Sequence, residues 1–322
     1  MRKQLWSAAL ATLALYAGMA TAAAADSKKI AIAMFGPHPS LQQVSDGFKA
    51  SLKKEGIDVV YDEGNVNFDR SLVPQFLNRL AAGEPDLMLT VTTPMAQSAK
   101  QILAKRDFPI VFAPVTDPVQ AGLLPSWDKG APLLAGVSNV PDFDATLDFM
   151  QTLVPGMTHL GVLYNTGDDS DTAFVKRLEA TAPKHGVELL LIGVDNANDI
   201  PQRVMSARGR ADAIFVPASS LLQPAAPAIA SAAARISMPV FGSNTPSVNA
   251  GHVLAAFSAD FYRIGEKAGD MAARILRGED PAQIPVAVPQ PADHIMRISQ
   301  RQMDALDLKL PAALRDCNCV VD

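Results

Sequence analysis

The stretch LMLTVTTPMAQSAKQILAKRDFPIVFAPVTD, residues 87–117, contains a strand, a helix and a second strand in succession. Its apolar runs at 87–91 and 110–113 have the length of buried strands, and the segment 95–105 has the length and polarity of an amphipathic helix. Because neighbouring parallel strands must be joined by a crossover, this stretch predicts a parallel sheet covered by helices.

The same alternation extends in both directions along the chain. The first series adds predicted strands at 30–35, 58–62 and 133–137 and predicted helices at 41–55 and 71–82. A second series has helices at 142–153, 172–185, 200–207 and 222–236 and strands at 160–164, 188–194, 213–216 and 240–242. The chain then closes with a strand at 253–257, a helix at 262–277 and extended segments at 284–288 and 295–298.

This pattern predicts an α/β fold of two doubly wound parallel-sheet lobes, joined by a hinge with several crossovers. The expected first lobe comprises residues 26–137 plus 252–281, and the second comprises 138–251 plus 282–322. The closing strand, helix and strand are too few to form a domain, so we expect the last long helix to return to the first lobe. Ligands of open parallel sheets bind outside the carboxyl ends of the strands, which predicts a cleft between the lobes.

The N-terminal segment has the three parts of a secretory signal peptide. Arg2 and Lys3 precede an apolar run at about 5–20, and small residues follow up to Ala25. We predict a signal peptide at 1–25 and cleavage after Ala25, with a transmembrane anchor as the alternative. No cysteine lies near the cleavage position, which excludes lipid attachment there. The expected location of the mature protein is a bacterial periplasm.

The composition excludes several classes of function. The chain has 28 basic and 33 acidic residues and a net charge of -5, so no basic excess favours nucleic acid or anionic lipid as a partner. Its two cysteines, Cys317 and Cys319, lie at the C-terminus and leave no interior disulfide framework or cysteine metal site. A disulfide between them would be strained, intermolecular bridging or a bound metal are alternatives, and an exposed tail without function is the simplest expectation.

Common catalytic motifs are absent from the sequence, including the phosphate-binding loop, the metalloprotease helix and the nucleophile elbow. The histidines are scattered without metal-ligand spacing, and the acidic loop 168–171 does not have the spacing of a calcium loop. We therefore expect no catalytic residues, no metal and no cofactor. An enzyme that uses His38 with Asp117 or Asp260 as acid and base is the alternative.

Polar or aromatic side chains follow most of the predicted strands, where a cleft would lie. Thr92 and Thr93 precede a helix that begins near Pro94, so the first N–H groups of that helix could receive a ligand carboxylate, although plain helix capping is the alternative. Asp260 could hold a cationic ligand group or cap the last long helix. The complete set of candidate ligand-binding residues is Phe35, His38, Thr92, Thr93, Thr116, Asp117, Tyr164, Asn165, Asp169, Ser219, Ser243, Asn244 and Asp260.

Six segments together resemble one family of ABC transporter substrate-binding proteins, the one that includes tryptophan- and tyrosine-type binding proteins. The segments are 35–40 (FGPHPS), 92–97 (TTPMAQ), 109–112 (PIVF), 115–118 (VTDP), 161–165 (GVLYN) and 238–241 (MPVF). This resemblance implies a type I periplasmic binding protein without catalytic activity. It also implies a small ligand that closes the lobes and a membrane permease with an ATPase as partners.

The chain departs from the family pattern at three places. Pro-Ala-Ser-Ser at 217–220 replaces Pro-Thr-Asp-Asn, Asn244 replaces an aspartate, and the loop 167–171 differs from Gly-Glu-Ala-Asn-Ser. Two acidic positions are therefore neutral, which weakens the case for a plain α-amino acid, although Asp260 remains as a carboxylate.

The function predicted from the sequence is the binding of a small amino-acid-like or aromatic carboxylate for an ABC importer, by a monomer that closes about its hinge. The alternative is a sensory protein that presents its ligand to a membrane receptor or kinase. A gene repressor on this fold would need a DNA-binding segment in the place that the signal peptide occupies.

Overall fold

The computed structural model describes residues 27–322, and the predicted signal peptide with its cleavage position lies outside these residues. The described chain forms two predominantly parallel sheets, each covered by helices on both faces, which confirms the predicted fold class. Within residues 27–322, no helix has both the length and the apolar character needed to cross a membrane.

The first lobe is built on a five-stranded sheet. Its elements are β1 (Lys28–Met34), α1 (Pro39–Lys54), β2 (Val59–Asn65), α2 (Val73–Ala81), β3 (Leu87–Val91), α3 (Thr93–Ile102), β4 (Ile110–Val115) and β5 (Leu134–Ser138). The strand order is β2-β1-β3-β4-β5, and every neighbouring pair is parallel. The order reverses between β1 and β3, so the loops after these two strands flank an open crevice.

The second lobe is built on a seven-stranded sheet. The chain continues through α4 (Phe143–Leu153), β6 (His159–Asn165), α5 (Asp169–Thr181), β7 (Glu188–Val194), α6 (Ile200–Met205), β8 (Ala213–Val216), α7 (Ala226–Ala234), β9 (Val240–Gly242), α8 (Thr245–Asn249), β10 (Ala255–Ala259), α9 (Phe261–Leu276), β11 (His294–Ser299), α10 (Gln300–Ala305) and β12 (Val320–Val321). The strand order is β12-β11-β10-β9-β8-β6-β7, with β11 antiparallel to β10. This order reverses between β6 and β8, which opens a second crevice.

Helix α9 packs against α1 in the first lobe, as expected, and small residues let the two helices approach closely. A side-chain carbon at Gly47 would lie 2.0 Å from the carbonyl oxygen of Tyr262, and one at Gly265 would lie 2.2 Å from that of Val44. The apolar residues of α9 face Phe48 and its neighbours in the core between α1 and the first sheet. Backbone contact at the two glycines therefore positions the last long helix.

The chain passes between the two sheets three times, and the segments divide differently from the predicted lobe boundaries. Strand β10, which the prediction groups with the first lobe, is hydrogen-bonded into the second sheet, and only the following α9 lies on the first lobe. Residues 284–288 form no regular strand, but Ala287 exchanges backbone hydrogen bonds with β5 and Val286 packs in the first lobe. Both differences arise because the crossovers lie next to each other at the hinge.

The C-terminal residues pack on the second lobe, contrary to the expectation of an exposed tail. Cys317 and Cys319 form a disulfide, Cys319 is buried in the core of this lobe, and β12 pairs with the edge strand β11. A two-residue strand carries no periodic signal, so this arrangement could not be predicted from the sequence.

Candidate ligand-binding site

A cavity lies between the lobes, at the carboxyl ends of both sets of strands. A more enclosed part adjoins it and shares Thr116, Asn139, Ser170, Ala218 and Phe261 with it. These two parts are called the outer and the inner pocket below. Their position agrees with the predicted cleft, because both crevices of the sheets open onto them.

Seven of the predicted site residues line this cavity. Six lie in the outer pocket, namely His38, Thr92, Thr93, Thr116, Ser219 and Asn244. Ser243 lies in the inner pocket. Ser219 and Asn244 are already hydrogen-bonded within the second lobe, since the Ser219 hydroxyl accepts from the N–H of Leu221 and the Asn244 side chain caps α8.

The other predicted residues lie outside the cavity. Phe35 packs edge-on against Phe68 with ring centres 5.9 Å apart, and with Asn165 it lines a shallower depression at the lobe margin. Tyr164 packs against the core of the second lobe. The carboxylate of Asp260 accepts from the N–H groups of Tyr262 and Arg263. It therefore caps α9, which was the alternative to holding a cationic group of the ligand.

Asp117 and Asp169 take part in contacts between the lobes. The carboxylate of Asp117 accepts from Arg177 at 2.8 Å, and Asp169 accepts from the side chain of Gln97 at 2.6 Å. Thr116 and Ser170 share a hydrogen bond of 2.8 Å. Arg70 is 3.3 Å from the buried carboxylate of Asp168. The second-lobe partner in every one of these pairs belongs to α5 or its capping residue, so this helix forms the main junction with the first lobe.

His38 is a helix-capping residue on the wall of the outer pocket. Its Nδ1 accepts from the N–H of Ser40 at the start of α1, and burial lowers its pKa, which favours the neutral ring. Asp117 is paired with Arg177 and Asp260 caps α9, and neither carboxylate is hydrogen-bonded to His38. The acid and base pair of the enzyme alternative is therefore not assembled in the described chain.

Helix α3 begins beside the cavity without a capping side chain. Thr92 precedes it with a φ of 96° and its hydroxyl makes no capping hydrogen bond, so plain capping does not account for this residue. A β-branched residue in this backbone region costs on the order of 1–3 kcal/mol, which is typical of positions held for function. The hydroxyl and the first N–H groups of α3 remain available to an anion.

Several buried polar atoms of the cavity have no hydrogen-bond partner. They include the hydroxyls of Ser40 and Thr92 in the outer pocket, and Asn139 Oδ1, Asp171 Oδ1 and Ser258 Oγ in the inner pocket. Buried polar groups in folded proteins are normally hydrogen-bonded, because an unpaired one costs about 1–3 kcal/mol. Their concentration around one cavity indicates a site for a polar ligand.

Asp171, rather than the predicted Asp169, is the carboxylate of the inner pocket. Burial raises the pKa of Asp171 to about 7, and the carboxylate of Asp168 contributes in the same direction. The N–H of Asn165 and the nearby Ser219 hydroxyl act in the opposite direction. Asn139, Ser170 and Gln223 also line the cavity and were missed. Asn139 follows β5 directly, so the strand-end signal could have found it, whereas Ser170 and Gln223 do not directly follow a strand.

Residues 27–322 contain no cluster of three or more metal-ligating side chains. Two α/β lobes of mostly parallel strands that enclose a cavity at their hinge have the architecture of a periplasmic binding protein. The model of the ABC transporter substrate binding protein family matches residues 29–314, and the chain belongs to this family.

Relatives of known description support this assignment. A tyrosine-binding protein from Clostridioides difficile (strain R20291) is 31% identical over 291 residues, which cover 88% of this chain and 83% of that protein. The solved structure of an ABC domain in complex with L-Trp from Streptococcus pneumoniae is 27% identical with a TM-score of 0.84, and the match covers 92% of this chain and 100% of that one. A ligand-free, open structure of a substrate binding protein with adhesive properties from Clostridium difficile is 28% identical with a TM-score of 0.71, over 92% and 99%.

Proposed function

We propose that this protein is the periplasmic solute-binding component of an ABC importer and that it binds an aromatic amino-acid-like carboxylate between its lobes. The observation that carries this proposal is the cavity whose walls, from both lobes and the hinge, hold buried polar atoms without partners. The tyrosine-binding relative and the L-Trp complex support a ligand of this class. The loaded protein would deliver its ligand to a membrane permease with an ATPase.

The carboxylate of the ligand would lie against the first lobe, at the start of α3. The N-terminal end of a helix carries a partial positive charge and free N–H groups, which favour an anion. The unpaired hydroxyls of Thr92 and Ser40 in the same pocket would each donate a further hydrogen bond. Neither hydroxyl makes another hydrogen bond in the described structure.

The aromatic part of the ligand would pack on phenylalanine rings. Phe68 and Phe261 line the outer pocket, and Phe174, Phe215 and Phe257 line the inner pocket. Aromatic pairs contribute about 0.5–1.5 kcal/mol beyond the burial of apolar area.

Binding would close the lobes about the hinge. Four direct contacts join the lobes beside the cavity, including the ion pair between Asp117 and Arg177. The TM-score is higher with the L-Trp complex than with the ligand-free, open relative, although their sequence identities are nearly equal. This difference supports an arrangement of lobes close to the ligand-bound one, and the open state would admit the ligand.

Export by a signal peptide at residues 1–25 would place the protein where such ligands enter the cell. The basic, apolar and small-residue parts of this segment support export, and determination of the N-terminal residue of the secreted protein tests cleavage after Ala25.

The test of ligand binding is thermal unfolding and calorimetry of residues 26–322 with tyrosine, tryptophan and phenylalanine, with a nucleoside as a control compound. A ligand at a hundredfold excess over its dissociation constant stabilises the folded state by about 2.7 kcal/mol. We expect at least one aromatic amino acid or its carboxylate analogue to raise the unfolding temperature and the nucleoside to leave it unchanged. No shift with any of them, in protein that mass spectrometry shows to be free of a co-purified ligand, would refute the proposal.

A further inference from the structure

Asp171 is a buried carboxylate that is only half satisfied by the protein. Its side chain lies in the first turn of α5, is 1% exposed and lines the inner pocket. One oxygen, Oδ2, accepts from the N–H of Asn165 at 2.7 Å, whereas Oδ1 has no hydrogen-bond partner. A buried carboxylate is costly unless it is paired with a positive charge, and the neutral N–H of Asn165 and the neutral Ser219 hydroxyl nearby leave the charge of Asp171 uncompensated.

Within residues 27–322, the walls of the two pockets supply no cation for Asp171, because none of the lining residues is a lysine or an arginine. The two arginines of the lobe junction are engaged elsewhere, since Arg70 pairs with Asp168 and Arg177 pairs with Asp117. His38 in the outer pocket has a lowered pKa and caps α1, so it adds no positive charge.

Two other unpaired atoms accompany Asp171 Oδ1 in the inner pocket. They are Asn139 Oδ1 at the hinge and Ser258 Oγ at the end of β10. A carboxylate and an amide oxygen accept hydrogen bonds only, and a hydroxyl can also accept one. An ammonium group has three N–H donors and one positive charge, which match three acceptors of which one is anionic.

We infer that Asp171, with Asn139 and Ser258, binds the ammonium group of an amino-acid ligand. This inference rests on the proposed function and assigns the residues that hold one end of its ligand. The carboxylate lies at Thr92 on the first lobe, and the ammonium lies at Asp171 on the second. One molecule thus bridges both lobes, so that closure satisfies both charges together.

The test compares three related compounds by calorimetry: tyrosine, 3-(4-hydroxyphenyl)propionate, which lacks the amine, and tyramine, which lacks the carboxylate. They are measured on residues 26–322 of the unchanged protein and on two variants, Asp171→Asn and Asp199→Asn. Asparagine keeps an oxygen for the N–H of Asn165 but removes the charge. Asp199 is an exposed aspartate of the same lobe without a side-chain hydrogen bond, so its variant controls for the loss of one negative charge.

We expect tyrosine to bind the unchanged protein more tightly than 3-(4-hydroxyphenyl)propionate does. Asp171→Asn is expected to lower the affinity for tyrosine by about 30-fold or more, because it removes a charged hydrogen bond. Its affinity for the propionate is expected to stay within about threefold of that of the unchanged protein. Asp199→Asn is expected to keep its affinity for all three compounds within about threefold. The thermal midpoint of each unliganded variant shows that it is folded.

The outcomes separate this inference from the proposed function. Binding of the propionate as tight as that of tyrosine, or tyrosine affinity retained by Asp171→Asn, overturns the assignment of Asp171 while the binding function stands. Equal binding of the propionate and tyrosine is expected if Asp171 is protonated and donates a hydrogen bond to an uncharged group of the ligand. If the unchanged protein binds none of the aromatic amino acids and carboxylates, the proposed function itself fails.

Discussion

Asp169 and Asp171 lie two positions apart in the first turn of one helix and have opposite environments. Asp169 is exposed and contacts Gln97 across the cleft, whereas Asp171 is buried in the inner pocket. Successive helical positions are rotated by about 100° around the axis, so only the orientation of α5 decides which aspartate faces the cavity. The sequence identified an acidic loop here but could not select its functional member.

The raised pKa of Asp171 predicts a pH-dependent stability. The unfolded chain loses this proton near the ordinary aspartate pKa of 3.8, whereas burial raises the pKa in the folded protein to about 7. Between these values the folded state binds more protons, so the stability contributed by Asp171 falls as the pH rises and is lost by about pH 7. Burial raises the pKa of Asp168 as well, with Arg70 opposing this, so both aspartates act in the same direction.

We therefore expect Asp171→Asn to be more stable than the unchanged protein at neutral pH, by roughly 2–4 kcal/mol, and nearly equal to it at about pH 4. Thermal unfolding of the unliganded proteins across this range measures the difference. A variant that is both more stable and defective in tyrosine binding identifies a residue kept for function. Equal stability of the two proteins at every pH would contradict the burial of a charged Asp171.

Thr92 supplies a second prediction at this scale. Thr92→Val keeps the size and the β-branch but removes the hydroxyl, so we expect about tenfold weaker binding of tyrosine and little change for tyramine. Thr90→Val is the matched control, because the Thr90 hydroxyl is also buried and unpaired but lies outside both pockets. Calorimetry checks both variants, and an equal effect of the two substitutions would remove Thr92 from the site.

At the scale of elements, helices α1 and α9 pack against each other in the first lobe. Their contact depends on glycines, since a side-chain carbon at Gly265 would lie 2.9 Å from the N–H nitrogen of Phe48 and closer still to a carbonyl oxygen. Backbone atoms cannot move aside as a flexible side chain can. The helices must therefore separate if either glycine is replaced.

We expect Gly265→Ala to lower the free energy of unfolding by about 1–3 kcal/mol, in spite of the better helix propensity of alanine. Gly167→Ala serves as the control, because its added carbon would meet only the Asn165 side chain, at 3.6 Å. Denaturant unfolding measures both values. A neutral or stabilising Gly265→Ala would show that the close approach of the helices is not required.

At the scale of the whole molecule, the contacts of α5 with the first lobe should set the balance between open and closed states. Arg177 pairs with Asp117 and lies over the ring of Trp127, 4.9 Å from its centre. Trp127 is the only tryptophan of the chain beyond residue 25, so its fluorescence reports directly on this junction. A ligand that closes the lobes should change that signal.

We expect Arg177→Met to weaken tyrosine binding about fivefold without touching the ligand, because the closed state loses an ion pair and a cation–π contact. Arg79→Met is a matched control, since Arg79 pairs with Asp62 and lies over Phe76 within the first lobe alone. Tyrosine titration followed by Trp127 emission measures both affinities. Equal affinities for the two variants would mean that the Arg177 contacts do not influence closure.

The sequence by itself determined the fold class, the strand order along the chain and the cleft at the strand ends. These features follow from local periodicity, and several strands, including β3, β7, β8 and β9, were located at their observed bounds. The polar residues that directly follow strands, such as Thr92 and Ser243, were also found in the cavity, because the carboxyl ends of parallel strands meet there.

Only the tertiary structure decided which side chains face the ligand and which hold the lobes together. Asp171, Asn139 and Ser258 meet in one pocket although they come from α5, the hinge and β10, and no local pattern connects them. Asp117 and Asp260 looked like ligand contacts in the sequence, but their carboxylates are hydrogen-bonded to Arg177 and to helix N–H groups. Burial and pairing are properties of neighbours distant in the chain, which the packing of the two lobes brings together.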